Sequence, residues 1–197
     1  MGKYLLGLDC GHTVTKAVLF DLTGKQLSVG KGKNLQISQH PGWQERTMHD
    51  AAEAALDAIS EATKNIDSSE IVAIGVAGHG DGIYLLDKHH QPLRNAIFAT
   101  DNRASTIATE INKVHGDALM KSMGQHLFAA SPMALLSWMK HEEPENYQNI
   151  GAVLQCKDWI RTVLTGTVGT DISDAACAGL GLNTYTFDKS LFDLIGI

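Results

Sequence analysis

The sequence predicts an α/β fold built on a mixed sheet, and three observations carry that expectation. Three strand-like segments joined by tight turns open the chain, at Tyr4–Asp9, Thr15–Asp21 and Gln26–Ser38. A capped amphipathic helix comes next, followed by a continuous apolar run, "IVAIGVAG" (71–78), of the kind that fills a strand buried on both faces. Helices and strands then interleave. Hairpins followed by crossover connections give a sheet of mixed direction.

Each element has a local cause. Cys10-Gly11-His12-Thr13 is a short connection suited to a hairpin, with Gly11 free to take a positive φ. "LTGK" (22–25) is a second turn, and the third strand after it is interrupted by glycine. Thr47 with Asp50 resembles a capping box, and Ala52, Ala55, Leu56, Ile59, Ala62 and Ile66 recur at helical spacing. "GHGDG" (78–82) separates the apolar run from a strand at 83–87. The run Ala96–Thr100 ends at Asp101, whose carboxylate suits an N-cap for a helix running to Gly116. Ser131-Pro132 opens another helix, with proline where a helix tolerates it best. "GAVLQ" (151–155) is a short strand, and "KDWIRTVLTG" (157–166) a helix closed by Gly166.

Bulk properties exclude several classes. A formal net charge of -6, with no lysine and arginine cluster, argues against a nucleic-acid partner. The three cysteines, Cys10, Cys156 and Cys177, lack C-x-x-C spacing and fit free thiols in a reducing cytoplasm. The N-terminal apolar run is broken at Gly7 and Asp9, too early for a signal peptide or a membrane span. His89-His90 sits in a polar turn, and the nine histidines do not gather at metal-ligand spacing.

Chemistry concentrates in the first hairpin. Neither G-x-G-x-x-G nor G-x-x-x-x-G-K-[ST] is present, and the residues after the loop favour strand, not helix. A tight turn can still bind an anion, because successive N–H groups form a concave nest. Asp9, at the strand end, can hold a magnesium ion through water, since that ion takes one or two carboxylates plus substrate phosphates. An ordinary hairpin with polar turn residues is the other reading of the same stretch.

Four motifs then resemble one family. "GLDCGHTVTKAVLFD" (7–21) looks like the first phosphate loop of the actin-like ATPase superfamily. "HPGWQERT" (40–47) is similar to the P-G-W-x-E segment of the FGGY carbohydrate kinases. "GVAGHGDGIYLLDKHHQPLRNAIFATDNRA" (75–104) resembles that family's sugar loop, strand, turn and W-x-D-x-R-like segment. "LTGTVGTDISDAACAGL" (164–180) resembles its T-G-x-x-x-T-D-x-S-x-A segment. Within the family, "LLDKHHQPLRNAIFATDNRA" and "PGWQER" look most like the L-xylulose kinase branch.

The resemblance implies an actin-like (ribonuclease H-like) domain with a mixed five-stranded sheet flanked by helices, incomplete at its C-terminal end. It implies that residues 1–197 form an N-terminal sugar-binding domain without the second, ATP-binding domain. ATP and Mg2+ would be the cofactors and a ketopentose or related polyol the substrate, with room for a homodimer. D-xylulose, glycerol and erythritol kinases, or a non-catalytic sugar-binding module, are the alternatives. Asp9 would place the magnesium, Gly11, His12 and Thr13 would meet the phosphates, and Lys16 would add a counter-charge. Asp101 and Arg103 would lie near the sugar hydroxyls, with His79, Asp81 and Trp43 shaping the pocket. The general-base aspartate would lie beyond residue 197, and Asp174 would sit in a structural segment. Three departures bear on the substrate: His12 replaces a smaller residue, His79-Gly80-Asp81-Gly82 replaces Q-M-H-G, and Ala99 replaces an aromatic.

Overall fold

The computed structural model describes residues 2–197 and has the expected α/β architecture. In chain order, β1 (Tyr4–Cys10), β2 (Val14–Asp21) and β3 (Gln26–Lys33) form a meander. β4 (Glu45–Arg46) leads into α1 (Met48–Thr63), and β5 (Ile71–Gly78) follows. Next come β6 (Tyr84–Asp87), β7 (Ala96–Ile97), α2 (Ser105–Met123), α3 (Pro132–Glu142) and α4 (Pro144–Gln148). β8 (Ile150–Leu154), α5 (Cys156–Thr165), α6 (Ile172–Cys177) and α7 (Lys189–Ile195) complete the chain. No helix among the described residues is long and apolar enough to cross a membrane.

The main sheet runs β3-β2-β1-β5, antiparallel through the meander and parallel between β1 and β5. It is mixed, as expected, but among the described residues it has four strands instead of five. Leu6, Leu8, Ala17 and Leu19 face α1, and each fully buried leucine contributes on the order of 2 kcal/mol. The helix lies close because it presents alanines, and the strand beneath it presents glycines. A Cβ built on Gly32 would stand 1.8 Å from the Ala54 carbonyl oxygen, and one on Gly30 2.0 Å from that of Ala58. The glycines that interrupt β3 are therefore the seat of α1.

Two cores share one wall. Tyr84 and Leu86 join the core under α1 and α5, whereas Ile83, beside β6, and Leu85 join the core of α2, α3 and α7. Period-2 alternation makes β6 the strand buried on both faces. The expectation had placed β5 there. β5 is an edge strand instead, with Val72 59% and Ile74 43% exposed, because β1 covers only one of its sides.

Two further boundaries differ. β3 stops at Lys33, not Ser38, since its last partner is Val14, where β2 begins. The helix expected from Asp101 to Gly116 starts at Ser105 and runs to Met123, with Gly124 at φ 73 closing it. Asp101 cannot cap it because its carboxylate is engaged elsewhere, as described below. Thr47 does cap α1, accepting from the Asp50 N–H at 2.9 Å, and Gly166 closes α5 as expected.

Candidate active site

The carboxyl ends of the parallel neighbours β1 and β5 open on the same side, where ligands bind in open α/β sheets. At the end of β1, Asp9 points to the open face between buried Leu8 and Cys10, opposite Lys16 in the hairpin register. The loop that follows is tied down by its carbonyls. Asn34 donates from Nδ2 to the Gly11 oxygen at 2.7 Å while Thr15 Oγ1 donates to Asn34 Oδ1 at 3.1 Å. Arg46 Nη2 donates to the same Gly11 oxygen at 3.4 Å, and Gln36 Nε2 to the His12 oxygen at 3.4 Å. Thr13 stays exposed.

At the end of β5 the His79 N–H reaches the Cys10 oxygen at 3.4 Å, which brings the second loop against the first. The imidazoles of His12 and His79 stack, with centroids 4.2 Å apart and planes at 28°. Phe98 flanks both rings, at 5.1 and 5.3 Å, and His79 Nε2 lies 3.2 Å from the Tyr84 hydroxyl. Burial, then the neighbouring His79, holds His12 below the ordinary histidine range, so its ring is neutral near pH 7.

Asp81 takes a left-handed backbone, φ 56, and Gly82 follows at φ 70. Gly82 has no substitute, because a Cβ there would meet the Ile97 oxygen at 2.2 Å. A side chain distant in sequence holds Asp81 in place: its N–H donates to Gln155 Oε1 at 2.8 Å, and Gln155 Nε2 donates to the Asp174 oxygen at 3.0 Å. Burial, followed by the charge of Asp174, raises the Asp81 carboxyl above its usual range. Asp174 is also raised by burial, against the opposing pull of Lys157 Nζ at 2.7 Å. The same lysine pairs with Asp158 and Asp171, so α6 is pinned to α5.

Trp43, Asp101 and Arg103 come together in a buried knot. The Arg103 guanidinium lies 4.0 Å from the Trp43 ring centre and 5.1 Å from that of Trp138. Asp101 accepts from the Gln44 N–H at 2.6 Å and from Arg103 N, Nε and Nη2 at 2.8, 2.9 and 2.9 Å. Glu45 completes the knot with ion pairs to Arg94 and Arg103. Neither the Asp101 nor the Arg103 side chain has exposed surface. Both were expected beside the sugar hydroxyls; enclosed as they are, they instead brace the segment that carries Phe98 to the histidine stack. A cleft of 670 Å³ between α2 and residues 181–194 contains none of these groups.

Among the described residues there is no group of three or more His, Cys, Asp or Glu able to hold a metal. Asp9, exposed at the end of β1, would be a sufficient protein ligand for magnesium, which needs few when phosphates and water supply the rest.

The description "FGGY family of carbohydrate kinases, N-terminal domain" matches residues 4–197. The chain belongs to this family. It is 34% identical over 206 residues to the L-xylulose/3-keto-L-gulonate kinase of Escherichia coli (strain K12), covering 100% of this chain and 40% of that protein. It is 30% identical over 205 residues to the autoinducer-2 kinase of Salmonella paratyphi B, covering 100% of this chain and 38% of that one. A ligand-bound xylulose kinase from Lactobacillus acidophilus superimposes with TM-score 0.92 at 28% identity, over 99% of this chain and 40% of the other. The FGGY chain thus spans about two-fifths of the length of the curated relatives it matches.

Several groups that shape this FGGY site escape a reading of the sequence. Asn34 and Arg46 act on Gly11 across separations of 23 and 35 residues, and Gln155 acts on Asp81 across 74. Only Arg46 leaves a trace in the sequence, as a charge immediately before a helix whose face is otherwise apolar.

Proposed function

We propose that this chain is the sugar-binding, N-terminal part of an ATP-dependent kinase that phosphorylates a hydroxyl of a ketopentose, L-xylulose-like, or of a related polyol. The observation that carries the reading is the meeting of the two loops at the ends of β1 and β5, sealed by the His12–His79 stack. In-line transfer needs a phosphate cradle and a hydroxyl site in contact, and little covalent chemistry from the protein. In this reading Gly11, His12 and Thr13 cradle the phosphates, Asp9 would hold magnesium through water, and Lys16 adds charge on the open face. Magnesium, when bound, would neutralise charge on the transferring phosphoryl group. His79 and Asp81 line the sugar side, with Trp43, Asp101 and Arg103 holding that wall in place. The acceptor proton passes to an aspartate supplied from beyond residue 197, and a second domain binds the adenosine. The family membership and the kinase names of the relatives support this reading.

The test is ADP release by the protein expressed from its complete coding sequence, with MgATP and a panel of L-xylulose, D-xylulose, glycerol and erythritol. Turnover with at least one acceptor is expected, falling by two orders of magnitude or more in Asp9→Ala. Residues 1–197 alone should give none. Calorimetric sugar binding without turnover in the complete protein would instead make it a sugar-binding module. Unchanged turnover in Asp9→Ala would remove the phosphate-loop assignment.

A further inference from the structure

We infer that Arg46 is a buried electrostatic support for anion binding at the first loop: its unpaired guanidinium lies beneath Gly11 and acts through space on the triphosphate bound above. The inference rests on the kinase reading and adds a residue to it.

Arg46 is 1% exposed and among the largest fully enclosed side chains of the molecule. Charged groups buried this deeply are ordinarily paired. The other enclosed arginines follow that rule: Arg94 pairs with Glu45 and Glu143, and Arg103 with Glu45 and Asp101. Arg46 does not. Among the described residues no carboxylate oxygen lies within 4.0 Å of it, and its Nε has no hydrogen-bond partner. Its hydrogen bond goes to the Gly11 oxygen at 3.4 Å, and its guanidinium lies over the Phe98 ring at 4.8 Å.

Structural duty does not account for the charge. The Gly11 oxygen already receives the shorter bond from Asn34, so a neutral residue at 46 would leave no carbonyl unpaired. The two imidazoles stacked against Phe98 can only add positive charge to the same neighbourhood. A buried cation with no carboxylate partner is costly, and that cost is offset when a polyanion arrives nearby. The guanidinium donates into the loop that the kinase reading assigns to phosphates. A fixed buried charge needs no reorganisation when its counter-charge binds, which makes it a stronger attractor than a surface lysine such as Lys16.

The experiment uses the complete protein with two substitutions. Arg46→Gln removes the charge and keeps a donor for the Gly11 oxygen, so the loop retains its tether. Arg46→Lys keeps the charge and loses the planar fork. MgATP affinity is measured by calorimetry at several salt concentrations, and the sugar KM and melting temperature are followed in parallel. Arg46→Gln should weaken MgATP binding about tenfold at every salt concentration, because a buried charge is little screened, with the sugar KM unchanged. Arg46→Lys should stay within about threefold of the parent. Without nucleotide, Arg46→Gln should melt no lower than the parent, because it removes an unpaired buried charge. Unchanged MgATP affinity in Arg46→Gln would overturn the inference, as would equal weakening in both variants, which would point to the fork geometry. A parent protein that bound no MgATP would instead overturn the kinase reading itself.

Discussion

Asp101→Asn tests whether the buried knot around Arg103 holds the site wall. Asp101 is fully enclosed and accepts four hydrogen bonds, from Gln44 N and from Arg103 N, Nε and Nη2. An amide in the same place offers one acceptor oxygen. Whichever way it turns, its NH2 faces two donors, so two bonds are lost and two N–H groups are left against a third. Removing one partner of a buried ion pair costs about 3–5 kcal/mol. Glu45 remains on Arg103 Nη1 at 2.7 Å, which places the expected loss near the low end, about 3 kcal/mol. For a chain of 197 residues this corresponds to a drop in melting temperature of roughly 6–12 °C. Urea unfolding followed by tryptophan fluorescence is a direct assay, since Trp43 and Trp138 flank the guanidinium. A loss below about 1 kcal/mol would refute the claim that Asp101 is a structural anchor, since that is the scale of an exposed pair.

Two further predictions concern stability. Gly32→Ala forces a Cβ to within 1.8 Å of the Ala54 oxygen, so α1 must shift, at a cost of about 3 kcal/mol. Gly24→Ala, at φ 86 with open space around it, should cost only about 1 kcal/mol, and urea midpoints in the reverse order would contradict the close approach. His12, held below its usual 6.5 by burial, stays neutral in the fold while the unfolded chain takes up a proton. The unfolded state therefore binds more protons as pH falls through 6.5, and stability declines until the lowered folded value is passed. Denaturation at pH 5, 6 and 7.5 should show that decline, and His12→Phe, which keeps an aromatic ring against His79, should reduce it. An unaltered pH slope in His12→Phe would assign the proton uptake to another group.

Local chemistry made much of this fold legible before any coordinates. The β1–β2 hairpin, the Thr47 cap, the Gly166 stop and the strand at 71–78 each depend on residues within a few positions of one another, and the sequence by itself determined them. Asp9, Gly11, His12 and Thr13 stood out for the same reason, as an unusual polar cluster between two apolar runs. What long-range packing controls was decided only by the tertiary structure. Asp101 has the side chain of a helix cap and would serve as one, but Gln44 and Arg103 claim its oxygens first. The apolar run of β5 reads as a doubly buried strand, yet burial is a property of neighbours, and β6 occupies that position. The His12–His79 stack, the clamp of Gln155 on Asp81 and the missing counter-ion of Arg46 join residues dozens of positions apart. A periodicity or a cap is encoded where it acts, whereas the partner of a buried charge is known only when the chain has closed around it.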